Sequence, residues 1–505
     1  MDNQEPFTVD EDADAQLGPD FLGPCIQLFE EMEKTKLSLV CREYLANKAA
    51  HDPTFTYFPV VFGSDNSQCQ IPEVQSRVAR LQLYLNLTGG ILSALVSPRL
   101  GHLSDIYGRT RILAVNALGI MLSELVVVIV AANSAYMPSN ALFLYALLDG
   151  LAGAFTSTMA LTASYASDCT SPEKRSVAFG FLHGCFFIGT SGGPLLVALL
   201  LKLKGDIMFV FYCMLALNVL FFLAVLLVLP ESLSKERQRA ARVLCWENLS
   251  QKEDSWLSFK RWNPKNIFTP LSILFPVVGH PSKLFPNRRG ASPALRRNII
   301  LLASIDTVGF GTAMAMSQIL IIYAGYMFGW GNVESSIFIF IISAVRVVNL
   351  FVALPIVTWI FPEKQRQGDA ILGSSMLEIT LIRASLMIDM LGYGGFALAK
   401  SGSVLTLSGI VASLGGMGMP MLQSSITKHV PRDRIGQILG AKGLLHAMSR
   451  VIAPTVCNFI YSLTVGKYTQ MVFVCLAAVF GVAFCSSLCL RPNGMYGIVL
   501  SYVIC

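Results

Sequence analysis

The residues with the widest scope for chemistry are ionisable side chains that lie inside long apolar runs. Hydrocarbon does not solvate charge, and each unpaired charge placed there costs roughly 2.5–3.5 kcal/mol or more. Such groups therefore face a water-filled cavity or an oppositely charged partner. The groups are Glu124, Asp149, Asp306, Arg346, Arg383, Asp389, Lys442, His446 and Arg450.

Two of these acids, Asp149 and Asp306, lie well inside their runs, and each is followed closely by two glycines. A carboxylic acid in a low-dielectric cavity can bind and release a proton, which is the minimum chemistry for proton coupling. The alternative is a carboxylate permanently paired with an arginine such as Arg346. Glu124, Arg346 and Arg450 are further candidates for a substrate or proton cavity.

Three basic residues, Lys442, His446 and Arg450, are spaced four apart and therefore share one face of a helix. This stripe must face water, substrate or acidic partners. Lys442 could instead extend its amine to the cytoplasmic surface, but Arg450 lies too deep for that. Arg383 and Asp389 lie nearer helix ends, where a structural role is expected.

Composition decides which elements position these groups. The chain has 505 residues, 53% of them hydrophobic and 14% charged, so a bilayer must be the solvent for most of its length. Crossing a bilayer takes about 20 helical residues, and the backbone must be helical because lipid offers no hydrogen bonds. Eleven runs qualify, at 79–98, 112–133, 141–166, 176–201, 207–230, 298–327, 333–360, 377–399, 403–424, 436–463 and 468–490.

Basic residues mark the cytoplasmic side. Residues 231–297 hold 13 Lys or Arg against five acids, whereas the loops on the opposite side hold only four Lys. This segment divides the spans into five before and six after it. Its stretch Trp256 to Val278 fits either an interfacial helix or a solvated linker. The expected divisions are 1–78, 79–230, 231–297, 298–490 and a tail, 491–505.

The N-terminal segment lacks a clear span. Residues 1–33 contain ten acids and no Lys or Arg, which predicts a disordered head. The helix at 79–98 must run inward, so the residues before it start outside the membrane. Cys41 and Cys69 would share that oxidising compartment, where they could pair or remain two free thiols.

One loop combines small and charged residues in a pattern suited to a switch. It runs Gly101-His-Leu-Ser-Asp105-Ile-Tyr-Gly108-Arg109-Thr-Arg111. A tight turn between helices needs glycine, and Asp105 can bind an arginine or the N-terminus of a helix in one conformation and release it in another. The alternative is an ordinary basic turn on the cytoplasmic side, without a switching role.

This loop resembles the signature loop of the major facilitator superfamily. Residues 165–175 followed by Gly180, and Pro230-Glu231-Ser232, are similar to the family's loop after span four and its ending of span six. Within the superfamily the pattern is most similar to the tetracycline-resistance-like and multidrug proton antiporter branch, especially its fungal members. The resemblance implies an all-α membrane protein of two bundles with 12 spans, of which span one is absent here or replaced by residues 21–40.

The resemblance also implies roles for particular residues. The conformational latch would consist of Gly101, Asp105, Gly108, Arg109, Arg111, Asp168 and Arg175. The antiporter branch carries a Gly-Pro then Gly-Gly order in span five, and this chain supplies that composition in a changed order. Its helix-packing residues would be Gly184, Gly189, Gly192, Gly193 and Pro194.

The expected function is secondary active transport of a small organic solute by alternating access, with proton-coupled efflux. Proton-coupled uptake, or a non-transporting receptor or inactive truncated relative, are the alternatives. No phosphate loop, zinc-binding helix or nucleophile elbow is present in the sequence, so neither catalysis nor a cofactor or metal is expected beyond a proton gradient. The expected partners are the bilayer and the solute, without nucleic acid, for a monomer in the plasma membrane rather than the vacuolar one.

Overall fold

Helices make up nearly all of the structure, a computed structural model. It describes residues 24–51, 58, 60, 69, 71–204, 207–250, 269–279, 291–330, 332–361, 373–431 and 434–492. The first bundle contains α1 (Pro24–His51), α2 (Pro72–Tyr107), α3 (Arg109–Ala132), α4 (Leu142–Ala152), α5 (Ala154–Cys169), α6 (Arg175–Lys204) and α7 (Ile207–Leu227).

A connecting helix, α8 (Lys235–Ser250), follows the first bundle. The second bundle contains α9 (Pro293–Phe328), α10 (Asn332–Val348), α11 (Leu354–Ile360), α12 (Met376–Leu398), α13 (Gly402–Leu414), α14 (Gly418–Lys428), α15 (Ile435–Thr464) and α16 (Met471–Leu488). The two bundles meet where α2 and α5 pack against α15, and where α6 packs against α10 and α14.

Each of the eleven predicted spans falls on helix. Within the described residues, eight segments are long and apolar enough to cross a membrane by length and composition. The predicted spans on α2, α6 and α15 are not among those eight, and these three helices carry the surfaces by which the bundles meet. Large apolar side chains such as Leu220, Leu407 and Val482 are exposed on the outside, as expected for a surface that faces lipid.

The helix α1 includes residues 24–40 of the stretch 21–40 that the sequence offered as a replacement for span one. It begins at Pro24, so the prediction of a disordered head is wrong for residues 24–33, while residues 1–23 lie outside the described part. Leu39 and Leu45 pack against the apolar face of α2. Lys36 is fully buried and donates a hydrogen bond to Gln82 of α2. The charges of α1 explain why hydropathy does not mark it as a span.

A disulfide bond fixes the end of α1. Cys41 is bonded to Cys69, with 5.4 Å between their Cα atoms, which is the first of the two alternatives for these cysteines. Nearby, the carboxylate of Glu43 accepts hydrogen bonds from the backbone N–H and the hydroxyl of Ser139, at 2.6 and 2.7 Å. The end of α1 is therefore tied both to the segment before α2 and to the loop between α3 and α4.

The third predicted span, 141–166, is broken in its middle. Gly153 and Ala154 both have positive φ angles, 92° and 51°, so α4 ends and α5 starts there. Alanine in this conformation costs about 1 kcal/mol or more. Side chains satisfy the released carbonyl groups: Ser93 donates to Gly153 O and Asn116 donates to Ala152 O, both at 2.7 Å.

The second bundle contains two comparable irregularities. A 3₁₀ turn, Gly415–Met417, separates α13 from α14, and a π-helix, Asn349–Ala353, separates α10 from α11. The amide of Asn349 ties the two together by donating to the carbonyl of Leu414 at 2.8 Å. Discontinuous spans of this kind are where transporters place binding groups.

The packing of α6 agrees only in part with the prediction for its glycines. A Cβ on Gly184 would clash with the ring of Phe351 in the π-helix. Gly192 is exposed and has no atom within 4 Å of such a Cβ, so a packing role for it is wrong. The roles of Gly189 and Gly193 remain predictions, and the side chain of Pro194 lies outside the described part.

The basic middle segment is described only at its two ends. Arg242 of α8 donates to the carbonyl of Ile106 at 3.4 Å and lies over the ring of Tyr107, so α8 packs against the end of α2. A 3₁₀ helix, Thr269–Leu274, buries its last residues against the second bundle. Residues 256–268 of the predicted interfacial helix or linker, 256–278, lie outside the described part. Residues 362–372 and 493–505 lie outside it as well.

We predict that removing the disulfide lowers stability. The bond closes a loop of 28 residues, which corresponds to about 3–4 kcal/mol of denatured-state entropy. The double variant Cys41→Ser/Cys69→Ser should melt at a lower temperature than the wild type in detergent. Cys485→Ser changes an exposed cysteine and is the control. It should melt at the same temperature as the wild type. Thiol titration that finds all 12 cysteines reduced in the mature protein would contradict the assignment.

Candidate functional site

The residues of the signature loop form a buried ion cluster where the two bundles meet. Arg109 is 1% exposed and binds Asp105 at 2.7 Å and Asp168 at 2.8 Å. It also donates to the hydroxyl of Ser104 at 2.7 Å. Asp105 in turn accepts a hydrogen bond at 3.1 Å from the backbone N–H of Gly436, at the start of α15. One loop of the first bundle is thereby bonded to a helix N-terminus of the second.

Burial affects the charge of this cluster. Asp105 lies beyond the membrane-spanning stretch 79–98, at the cytoplasmic end of α2. Burial raises the pKa of the Asp105 carboxyl to about 6, although the guanidinium of Arg109 opposes the shift. The cluster therefore carries its full charge only above that pH.

A carboxylate from the end of the first bundle completes the turn. Glu231 accepts hydrogen bonds from the backbone N–H of Arg109 at 2.8 Å and from the hydroxyl of Thr110 at 2.7 Å, which caps the N-terminus of α3. Gly108 lies between the two helices with φ of 108°, where a Cβ would clash with Glu231. The glycine and the acid are thus required by the same contact.

The crossing of α2 and α15 is close enough for backbone to meet backbone. A Cβ on Gly101 would clash with the carbonyl oxygen of Gly436 and lie 2.9 Å from the Cα of Gly440. A Cβ on Gly440 would lie 3.1 Å from the Cα of Pro98. Glycine permits this approach, as at other close helix pairs in membranes. The contact closes the side of the molecule that is predicted to be cytoplasmic.

The structure brings together most of the predicted latch. Gly101, Asp105, Gly108, Arg109 and Asp168 meet in the cluster just described. Of the other two predicted members, Arg111 is exposed on the first turn of α3, and Arg175 is buried at the start of α6. Ser104, Glu231, Gly436 and Gly440 belong to the cluster but were not predicted as members.

The three basic residues on one face of α15 face acidic side chains. Acidic partners were one of the three environments expected for this stripe, beside water and substrate. Asp306 of α9 is fully buried and binds Lys442 at 3.0 Å and His446 at 2.6 Å. The ring of His446 also stacks on Phe310 at 4.0 Å. The sequence offered Arg346 as an alternative partner for Asp306, but the structure pairs Asp306 with Lys442 and His446.

A neutral contact extends this cluster to the first bundle. The side-chain oxygen of Gln423 on α14 lies 3.5 Å from Lys442 Nζ and 3.1 Å from the ring nitrogen Nε2 of His183 on α6. Neither Gln423 nor His183 was a predicted site residue. Only the periodicity of polar residues within apolar helices could have indicated them.

Arg450, the third member of the stripe, faces the first bundle. It lines a cavity together with Asp149 of α4 and the polar side chains Gln82, Asn86 and Tyr145. The charges of Asp149 and Arg450 attract each other, but no N–O contact between them falls within 4.0 Å. Gln82 and Tyr145 lie in the N-terminal parts of α2 and α4, so the cavity lies toward the side that is predicted to face outward.

A second acid lies near Asp149. Glu124 of α3 is 2% exposed, and its Oε1 atom has no hydrogen-bond partner among the described residues. Its charge interacts with that of Asp149. Two carboxylates this close repel each other when both are ionised.

The remaining intramembrane charges lie in the second bundle. The charges of Arg346 on α10 and Asp389 on α12 interact, again with no N–O contact within 4.0 Å. Asp389 packs against Gly415 at the break between α13 and α14. Arg383 donates to the carbonyl groups of Ser487 and Leu490, which agrees with the structural role expected for it.

Comparison with known proteins decides the family. The model of the Major Facilitator Superfamily matches residues 78–454, well over half of the chain. The chain belongs to the Major Facilitator Superfamily. This agrees with the resemblance of the loop at 101–111 and with the all-α, two-bundle membrane fold.

Individual relatives are distant but cover most of the chain. The chain is 24% identical to the MFS-type transporter avaJ of Aspergillus versicolor over 457 residues, which cover 90% of this chain and 83% of that protein. It is 26% identical to the class H tetracycline resistance protein of Pasteurella multocida over 388 residues, 76% of this chain and 80% of that one.

Solved structures agree on the fold. The human organic anion transporter MFSD10 (TETRAN) superposes with a TM-score of 0.62 at 17% identity, covering 90% of this chain and 97% of that one. The MFS proton:xylose symporter XylE superposes with a TM-score of 0.58 at 11% identity, covering 94% and 96%. At these identities the likeness supports the fold alone.

We predict that a larger side chain at Gly101 keeps the cytoplasmic side open. Gly101→Val would force α2 and α15 apart, whereas Gly192→Val, the control, meets no neighbour. With Ser97→Cys in a background without the free cysteines, a membrane-impermeant maleimide applied from the cytoplasmic side should label the Gly101 variant faster. Equal labelling in both variants would contradict the closure.

We also predict that the ion pair between Asp306 and Lys442 stabilises the fold. Asp306→Asn should lower the free energy of unfolding by about 3–5 kcal/mol, because it leaves a buried ammonium unpaired. Adding Lys442→Met should restore much of the loss. Asp389→Asn is the comparison, since that acid makes no ion pair within 4.0 Å. Additive losses in the double variant would show that the two residues are not coupled.

Proposed function

We propose that this protein exports a small amphipathic solute across the plasma membrane in exchange for protons, as a monomer. The observation that carries the proposal is the cavity in which Asp149 of the first bundle faces Arg450 of the second. A carboxylate and a guanidinium on opposite bundles attract each other only while the carboxylate is ionised. Proton binding at Asp149 thereby changes the attraction between the two halves that must move.

Asp149 suits this role better than Asp306. Asp306 is fully buried, forms an ion pair with Lys442 at 3.0 Å and contacts His446 at 2.6 Å, so a proton would have to displace an established ion pair. Asp149 has no such contact and borders a cavity with polar walls. The roles expected for the two acids are therefore divided, with Asp306 as structural and Asp149 as the coupling group.

The cycle follows from the position of the cavity. With the cytoplasmic side closed, a proton from outside reaches Asp149 and cancels its attraction for Arg450. The bundles then rock, the proton leaves to the cytoplasm, and Arg450 again attracts the ionised carboxylate. The solute moves outward on the opposite half of the cycle. Glu124, beside Asp149, lies where it can influence how readily that proton binds.

Similarity supports export over uptake. The relatives include tetracycline resistance proteins of three classes and a transporter from Aspergillus versicolor. Resistance to a drug by a membrane transporter follows from its removal from the cell. Uptake coupled to protons and a non-transporting receptor are the outcomes that would replace this proposal.

We predict that Asp149→Asn abolishes proton-driven flux. Proteoliposomes containing pyranine should report solute-induced proton movement for the wild type, with tetracycline as the first probe of an amphipathic panel. Flux driven by a pH gradient should fall at least tenfold in Asp149→Asn, while solute exchange without a gradient continues. Glu73→Gln, which removes an exposed acid in the first turn of α2, is the control.

Two outcomes of this experiment would overturn the proposal. Unchanged gradient-driven flux in Asp149→Asn would remove that residue from the mechanism. Accumulation rather than exclusion of the labelled solute by cells that express the protein would reverse the direction. Absence of flux for every solute in the panel would favour the receptor.

A further inference from the structure

We propose that Arg346 binds the anionic group of the solute, so that the transported molecule is an amphipathic organic anion with an aromatic or flat apolar body. This inference rests on the proposed function, since it names the substrate class of the same transporter. It rests on a different residue, however, and on contacts in the other bundle.

The guanidinium of Arg346 retains hydrogen-bonding capacity that the described residues do not use. Arg346 lies on α10, half-buried, with its Cζ atom 4.9 Å from the centre of the Phe187 ring across the bundle interface. Its Nε atom is enclosed and has no hydrogen-bond partner in the part of the chain that the structure describes. An arginine carries five N–H donors in a fixed fork, which suits an oxyanion that accepts two of them.

Asp389 offsets the charge of Arg346 but does not accept hydrogen bonds from its guanidinium. Asp389 is the acid whose charge interacts with Arg346, yet it makes no N–O contact with the guanidinium within 4.0 Å. Its carboxyl group packs instead against Gly415, where the chain turns between α13 and α14. The positive charge can therefore remain in the membrane while its hydrogen bonds remain available to a ligand.

The backbone around Arg346 holds the side chain at the irregular parts of two helices. The π-helix Asn349–Ala353 starts one turn after it, and a Cβ on Gly416 would lie 3.4 Å from its Cγ atom. Asn349 fixes the two segments to each other through its bond to the Leu414 carbonyl. π-Helical turns inside α-helices are frequent at functional sites.

An aromatic row leads from this arginine to the break in the first bundle. The ring centres of Phe187 and Phe186 are 5.4 Å apart, and those of Phe186 and Phe155 are also 5.4 Å apart. Phe155 follows Ala154 at the start of α5. All three rings are half-buried, so they offer a surface for a flat apolar body to lie against. The row and the guanidinium together match a molecule with one charged end.

Anion rather than cation recognition follows from the charges that remain. Lys442 already binds Asp306, so neither group is available to a ligand without breaking an ion pair. A cationic solute that approached along the aromatic row would meet the guanidinium of Arg346 at its end. A carboxylate, sulfonate or phosphate would gain charge-assisted hydrogen bonds at the same place.

Binding of matched ligands tests this assignment without a proton gradient. We would measure thermal stabilisation of the purified protein by a panel of aromatic carboxylates, each paired with its neutral amide and with the corresponding amine. We expect the carboxylates to stabilise the wild type more than their partners do. In Arg346→Gln the carboxylate affinity should fall roughly tenfold or more, and Arg346→Lys should retain part of it, because the charge remains while the fork is lost.

Two further variants separate this proposal from its alternatives. Arg239→Gln removes an exposed positive charge of α8 and should leave the preference for carboxylates unchanged. Asp149→Asn should lose coupling yet keep that preference, so failure of the proton mechanism and failure of anion binding can be told apart. Equal stabilisation by amides or amines, no stabilisation by any ligand of the panel, or a folded Arg346→Gln protein that keeps the carboxylate preference would overturn the proposal.

Discussion

Lys442, His446 and Arg450 project from one face of α15 into a region where lipid and helices exclude most water, so each needs an acid nearby. Asp306 supplies two of these contacts from within the second bundle, and Asp149 supplies the third partner from the first bundle. The arrangement orients α15 and leaves only its last basic residue without a close ion pair. That residue faces the cavity.

The same helix carries the closing contacts on the cytoplasmic side. Gly436 and Gly440 near the start of α15 meet Gly101 and Pro98 of α2, and Asp105 accepts a backbone hydrogen bond there. A movement of α15 away from α2 would break this contact and change the distance between Arg450 and Asp149 together. Under the proposed mechanism, a helix with one interaction near its predicted cytoplasmic end and one near its middle would couple closure to the ionisation of a single carboxylate.

Much of this was predictable from the sequence, because membrane physics leaves few choices. Uncharged runs gave the positions of the helices, and the spacing of the basic stripe gave its shared face. The signature loop indicated Asp105 and Arg109. The sequence could not show which distant residues are in contact, because these contacts depend on how helices far apart in the chain pack. Asp306 binds Lys442 rather than Arg346, and Gly101 packs against Gly440. The sequence left open whether residues 21–40 replace span one, because the charges of α1 mask its buried face.

Distances across both ends of the molecule test the central claim most directly, namely that the two bundles rock about these contacts. Spin labels on the exposed residues Tyr136 and Tyr468 report the outer side, and labels on Val228 and Met376 report the cytoplasmic side. In a background without free cysteines, a change of pH or addition of solute should lengthen one distance while it shortens the other. Distances that stay fixed, or that change in the same direction, would contradict alternating access in this protein.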